Sequence, residues 1–105
     1  DSRLIYKAAS HLGSQVTWDD EWVHFGTGQE IKYELIEHLI DNFLTGEEVV
    51  FVNERANSRH VKKRESVEVI KPLLGNENFE LWNKSMKQVI SFNRIGVLQQ
   101  GRKLE

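Results

Sequence analysis

Apolar residues recur at helical spacing in two stretches of the first half of the chain. Between Ser2 and Leu12 they predict a first helix, with Ser2 as its N-cap and Gly13 as its stop signal. A broader apolar face covers QEIKYELIEHLIDNFLTG, residues 29–46, and its 3.6-residue period predicts a second helix that a Gly-Thr-Gly turn precedes. The apolar face of this second helix consists of Ile31, Leu35, Ile36, Leu39, Ile40, Phe43 and Leu44.

Shorter patterns follow the second helix. The β-branched and aromatic run Val49–Val52 is typical of a strand that is buried on both sides. Residues Glu65–Leu74 favour a short helix that Ser66 would cap, although Pro72 fits a helix only in the first turn or at a kink. A strand through Val67–Ile70 is therefore the alternative.

The last third of the chain alternates β-rich segments with turn residues. These segments predict strands at Phe79–Trp82, Gln88–Phe92 and Ile95–Gln99, with a tight turn at Asn93-Arg94. A helix through Phe79–Ile90 is the alternative, because several apolar residues there partly satisfy the helical period.

The order of these elements, helices first and strands later, predicts one α+β domain over residues 1–105. We expect a small antiparallel sheet with two or three helices packed on one face. The chain has no cysteine, which excludes disulfides, thiolate zinc sites and cysteine nucleophiles and fits a reducing, cytoplasmic setting. No run of about 18 apolar residues occurs, so no membrane partner is expected.

The two ends of the chain carry no predicted function. The chain does not begin with methionine, so we expect that its first residues were removed or are missing. The first ten residues also lack the basic and then apolar layout of a signal peptide. The closing Leu104-Glu105 is typical of a cloning remnant.

Charge is unevenly distributed along the sequence. Residues 1–54 contain 11 acidic and 3 basic side chains, whereas residues 55–105 contain 5 acidic and 11 basic ones. An acidic stripe within about one-quarter of the circumference of the second predicted helix is either a solvated face or a docking surface for a basic protein. The stripe consists of Glu30, Glu34, Glu37 and Asp41.

The segment RANSRHVKKR, residues 55–64, is basic and contains no acid. It is interpreted first as a solvated connection, or as a patch that pairs with the acidic helix. The alternative is an anion or nucleic-acid site, which we favour less because no aromatic residue is interleaved to stack on bases. The residues of this alternative site are Arg55, Arg59, His60, Lys62, Lys63 and Arg64.

A small enzyme is a third hypothesis. Glu54, Arg59 and His60 would supply acid–base and anion-holding groups if they converged in one cleft. The sequence offers no recognisable nucleophile with a base and an orienting group, so no catalytic residue and no cofactor are predicted. Glu34 and His38 lie four residues apart, but no further histidine has ligand spacing, so no metal site is predicted.

Two further patterns concern glycine and tryptophan. In FGTGQE, residues 25–30, the third glycine of a dinucleotide fingerprint is missing, so a turn and a helix entry are predicted. Trp82 is expected in the core. A second acidic segment that two tryptophans flank is predicted to contact a protein if either ring is exposed. This segment consists of Trp18, Asp19, Asp20, Glu21 and Trp22.

The closing VISFNRIGVLQQG, residues 89–101, resembles the terminal β-hairpin of small stand-alone bacterial proteins carried as accessory genes. These are integron gene-cassette products, which belong to mobile elements, and toxin-immunity proteins. The resemblance implies a non-enzymatic binder and assigns no functional residue. Together with the charge pattern it predicts a protein-binding module that acts through the acidic helix face, for example an immunity protein against a cationic nuclease toxin. Pairing of the opposite charge blocks in a homodimer is a further expectation.

Overall fold

The computed structural model describes residues 1–103, and the expected cloning remnant, Leu104 and Glu105, lies outside the described residues. The α-helices in this range are α1 (Ser2–Gly13), α2 (Tyr33–Phe43) and α3 (Ser66–Ile70). Short 3-10 helices cover Gly28–Glu30 and Lys63–Glu65. The strands are β1 (Val16–Trp18), β2 (Val23–His24), β3 (Glu48–Glu54), β4 (Asn57–Lys62), β5 (Phe79–Asn83), β6 (Gln88–Asn93) and β7 (Val97–Lys103).

These strands form one antiparallel sheet in the order β1-β7-β6-β5-β3-β4. The two-residue strand β2 pairs with the first half of β7, so β1 and β2 lie end to end along the same edge. The other edge of the sheet is β4. The predicted α+β class with an antiparallel sheet is confirmed.

Two helices, α2 and α3, pack on one face of the sheet as predicted, and the third, α1, covers the opposite face. On one face, Val49 and Phe51 of β3 pack in the core that includes buried residues of α2 and α3. On the other face, Val50 of β3 and Trp82 of β5 form a second core with Ala9 of α1. The central strands are apolar on both faces, and both faces therefore need cover from helices.

Most predicted elements are confirmed with shifted ends. Helix α3 ends at Ile70, before the predicted Leu74, so Pro72 lies beyond its end, where a proline interrupts no helical hydrogen bond. The alternatives of a strand at Val67–Ile70 and a helix at Phe79–Ile90 are wrong. The apolar pattern predicts neither β1 nor β2. Each of these strands is only two or three residues long, which is too short to show a periodic pattern.

The connection between β6 and β7 depends on a glycine. Gly96 has a φ of 92° and its carbonyl oxygen accepts hydrogen bonds from the backbone N–H groups of Phe25 and Gly26, at 2.8 and 3.1 Å. This places Ile95 in the turn, with 70% of its surface exposed, so the strand predicted from Ile95 begins only at Val97. The hairpin turn is thereby fixed to the loop that leads into the first 3-10 helix.

Candidate functional site

Helix α2 presents an acidic face to solvent. Glu34, Glu37 and Asp41 are exposed, whereas Ile36 and Ile40 on its opposite side are buried. The same amphipathic period therefore buries the apolar stripe and leaves these three carboxylates outside. Glu30, which the sequence places on the same helix, lies instead in the preceding 3-10 helix and is exposed there.

The carboxylates of this acidic face, Glu34, Glu37 and Asp41, form no ion pair with a basic side chain of residues 1–103. Other acids in the structure do: Glu48 pairs with His60 at 2.8 Å, and Asp19 approaches Arg102 at 3.5 Å. A positive charge does lie near Asp41, because Lys63 Nζ donates a hydrogen bond to the backbone carbonyl of Asp41 at 2.9 Å. Of the three acids of this face, Asp41 is thus the one that has, within the described residues, a cationic group bonded to its own backbone.

The second predicted contact segment, residues 18–22, divides into a packed half and an exposed half. Trp18 is half-buried against the core of the α1 face. Asp19 is engaged by Arg102, and Gln99 Nε2 donates to its carbonyl oxygen at 2.8 Å. The remaining three residues, Asp20, Glu21 and Trp22, are exposed, and Trp22 retains 49% of its accessible surface.

The basic segment 55–64 is not the predicted loop. Most of it is β4, an edge strand whose residues point alternately to the two faces of the sheet, so its charges are dispersed. Arg59 lies over the Phe51 ring at 5.5 Å on one face, and His60 pairs with Glu48 on the other. Charged side chains on an edge strand prevent it from pairing with the edges of other sheets. Protection of the sheet edge is therefore a sufficient reason for this basic stretch.

Three of the remaining basic residues of the segment, Lys62, Lys63 and Arg64, line one cleft. Lys63 Nζ donates to the carbonyl oxygens of Asp41 and Leu44 and so stabilises the C-terminus of α2. This cleft has a volume of about 710 Å³ and is also lined by Asp41, Glu47 and Glu48, whereas Arg55 is exposed in the β3–β4 turn. The structure therefore brings three of the six basic side chains of the segment together, and it does so beside three acids.

The proposed Glu54, Arg59 and His60 site is contradicted by the geometry. Arg59 and His60 are adjacent in β4 and project from opposite faces of the sheet. Glu54 lies at the end of β3, where it pairs with Asn57. The three side chains do not converge.

No cluster of three or more histidine or acidic side chains with metal-binding geometry occurs within residues 1–103. The ring nitrogen Nδ1 of His38, one member of the candidate metal pair, lies 3.2 Å from Asn42 Nδ2. Its partner in that pair, Glu34, is exposed on the same helix. Gly26 and Gly28 both have positive φ and form the predicted turn and helix entry.

A cleft that the sequence does not predict lies between α1 and the sheet. Its volume is about 320 Å³. Glu80 lines this cleft, and its Oε1 accepts a hydrogen bond of 3.0 Å from Trp82 Nε1. The polar residues that line it are Tyr6, Ser10, Asn53, Asn78, Glu80 and Ser91.

Burial raises the pKa of Glu80 above its ordinary value of 4.5, and the hydrogen bond from Trp82 opposes this shift in part. A carboxyl group with a raised pKa in a cleft marks a candidate functional site. One signal in the sequence points to it: Glu80 lies two residues before Trp82 on the same strand, so a core position for Trp82 turns Glu80 to the same side.

The raised pKa of Glu80 predicts how stability changes with pH. The folded state holds the Glu80 proton more tightly than the unfolded state does, so its stabilising contribution is complete below pH 4.5 and is lost as the pH rises through the raised pKa. Glu80→Gln keeps an acceptor for Trp82 Nε1 and removes the titration. The free energy of unfolding of this variant, expressed relative to that of wild type, should therefore increase when the pH is raised from acidic to neutral. Urea unfolding at both pH values measures this gain, and a constant difference would contradict it.

Comparison of the chain with models of protein families, with curated proteins and with solved structures finds no match. The resemblance of its C-terminal hairpin to accessory bacterial proteins therefore stays a prediction. Among residues 1–103, no helix is both apolar enough and long enough to cross a membrane.

Proposed function

We propose that this α+β domain is a non-enzymatic protein-binding module that uses the acidic face of α2. The observation that carries the proposal is that Glu34, Glu37 and Asp41 are exposed on one helix face without an ion-pair partner in residues 1–103. An exposed set of like charges attracts a partner of opposite charge and sets its orientation. The partner class is therefore a basic protein.

A cationic nuclease toxin, with this chain as its immunity protein in the bacterial cytoplasm, is one instance of that class. The exposed Trp22, with Asp20 and Glu21, would extend the contact surface. Tryptophan is enriched among the residues that dominate binding energy in protein interfaces. Self-association through the acidic α2 face and the basic edge strand β4 is the alternative arrangement, in which the partner is a second copy of the chain.

Charge reversal of the acidic face tests the proposal. Replacing Glu34, Glu37 and Asp41 with lysine should weaken binding of the basic partner by at least about 100-fold, because like charges then face each other. The fold should persist, since exposed substitutions usually change stability by less than about 0.5 kcal/mol each. Circular dichroism checks the fold, and calorimetric titration measures the affinity.

A matched control changes the net charge by the same amount elsewhere. Glu54, Glu65 and Glu77 are exposed, lie outside α2 and do not line the cleft beside Asp41, so their joint replacement with lysine should leave binding nearly unchanged. Partners are first identified as proteins that wild type and this control retain and the α2 variant does not. Equal retention by all three proteins contradicts the proposal. Self-association that the α2 variant abolishes, measured by light scattering, assigns the surface to a homodimer.

The basic residues of β4 need a separate comparison. If a mixed RNA and DNA pool formed a salt-sensitive complex that depended on Arg55, Arg59 and Lys62, nucleic-acid binding would replace the acidic face as the function. Arg55 lies in the β3–β4 turn, and Arg59 and Lys62 point to opposite faces of β4, and this dispersed placement argues against that outcome.

A further inference from the structure

The cleft between α1 and the sheet has the size and lining of a small-molecule site. Its volume of about 320 Å³ lies at the small end of the range for ligand sites in proteins. Ala9 and Val52 supply apolar wall, and Tyr6 supplies an aromatic side chain from α1. The cleft lies on the α1 face of the sheet, so it is independent of the acidic face of α2.

Polar groups in the cleft lie around Glu80. This residue pairs in register with Val52 on one side and with Ser91 on the other, so the Ser91 side chain is its cross-strand neighbour. Within residues 1–103, the hydrogen bond to this carboxyl group comes from Trp82 Nε1 and reaches Oε1. No residue in the described chain donates a hydrogen bond to Oε2, which leaves this oxygen available to a ligand.

Within residues 1–103, no basic side chain of the cleft lining compensates the negative charge that Glu80 carries when it is ionised. The residues that line it in the described part of the chain include neither lysine nor arginine. Besides Glu80, the titratable group of the lining is Tyr6. Asn53 of the lining donates through Nδ2 to Glu77 Oε1 at 3.5 Å, a second carboxylate and no positive charge. A partly buried carboxylate in such surroundings is stabilised by a cation.

We propose that this cleft binds a small organic cation, a primary ammonium group carried on a short apolar or aromatic body. The ammonium group donates to Oε2 of Glu80, and the body of the ligand contacts Tyr6 and Val52. A charge-assisted hydrogen bond of this kind is about twice as strong as a neutral one.

Benzylammonium is a suitable probe, with benzyl alcohol as an uncharged molecule of the same shape. In a titration of the 15N-labelled protein at neutral pH, benzylammonium should shift the amide signals of β3, β5 and β6 at the cleft with a Kd of about 1 mM. Benzyl alcohol should bind about tenfold more weakly, because it lacks the positive charge that the carboxylate of Glu80 attracts. Equal affinity for the two probes, or no shifts with benzylammonium, overturns the proposal.

A pair of variants assigns the effect to one carboxylate. Glu80→Gln keeps the shape and the acceptor for Trp82, and should weaken benzylammonium binding about tenfold. Glu65→Gln makes the same change of charge at an exposed position outside the cleft and should leave the affinity unchanged. If Glu80→Gln binds benzylammonium as well as wild type does, or if both variants lose the same affinity, the carboxylate of Glu80 is not the ligand-binding group and the proposal is wrong.

Discussion

Trp82→Ala is expected to lower the free energy of unfolding by about 4 kcal/mol, the typical cost of truncating a fully buried large aromatic residue. Trp82 has no exposed surface and is the largest residue in the core between α1 and the sheet. The substitution opens a cavity beneath Ala9 and also removes the hydrogen bond to Glu80. Urea unfolding followed by circular dichroism measures the loss.

Two further variants separate the causes of the Trp82→Ala effect. Trp82→Phe keeps much of the packing and removes the N–H donor, so it should cost less than the alanine variant. Trp22→Ala removes the same side chain from a position that is 49% exposed and should change stability by less than about 0.5 kcal/mol. If Trp22→Ala costs as much as Trp82→Ala, the division of the tryptophans between core and surface is wrong.

Gly96→Ala is expected to cost about 3 kcal/mol, the sum of an unfavourable backbone conformation and a steric overlap. A Cβ on Gly96 would lie 2.8 Å from the carbonyl oxygen of Gly26, a backbone atom that cannot move aside like the end of a flexible side chain. The hydrogen bonds that Phe25 and Gly26 donate to Gly96 would be strained at the same time. Thermal and urea unfolding measure the change.

Gly46 offers a matched control for the Gly96 substitution. Its φ of 89° is nearly the same as the 92° of Gly96, but a Cβ there would meet no atom within 4 Å. Gly46→Ala should therefore cost only the backbone term, about 1 kcal/mol. If the two variants lose the same free energy of unfolding, the steric overlap with Gly26 contributes nothing to the cost of Gly96→Ala.

The stronger local patterns in the sequence predict structure that is confirmed. The apolar period of α2 is long, and it also fixes which side chains are exposed, so both the helix and three of its four predicted acidic positions are correct. The predicted strands Phe79–Trp82 and Gln88–Phe92 correspond to β5 and β6 within one residue at each end. The prediction that Trp82 belongs to the core is also confirmed.

Predictions that depend on the pairing of distant segments are less successful. The polar sequence of β4 is typical of a loop, and it becomes a strand only because its backbone pairs with β3 as the last strand of the sheet. The candidate site built from Glu54, Arg59 and His60 is wrong for the same reason, since a strand turns neighbouring residues to opposite faces. The cleft around Glu80 depends on where α1 lies, which no local pattern indicates.

By itself, the sequence determines the α+β class, the second helix with its exposed acids and the two central strands, because each follows from apolar periodicity within a few residues. Only the tertiary structure decides that the helices cover both faces of the sheet, that the basic segment is an edge strand and that Glu80 lies in a cleft. These features depend on contacts between residues far apart in the chain, such as the pairing of Val52 with Glu80, and side-chain burial is defined only once those contacts form.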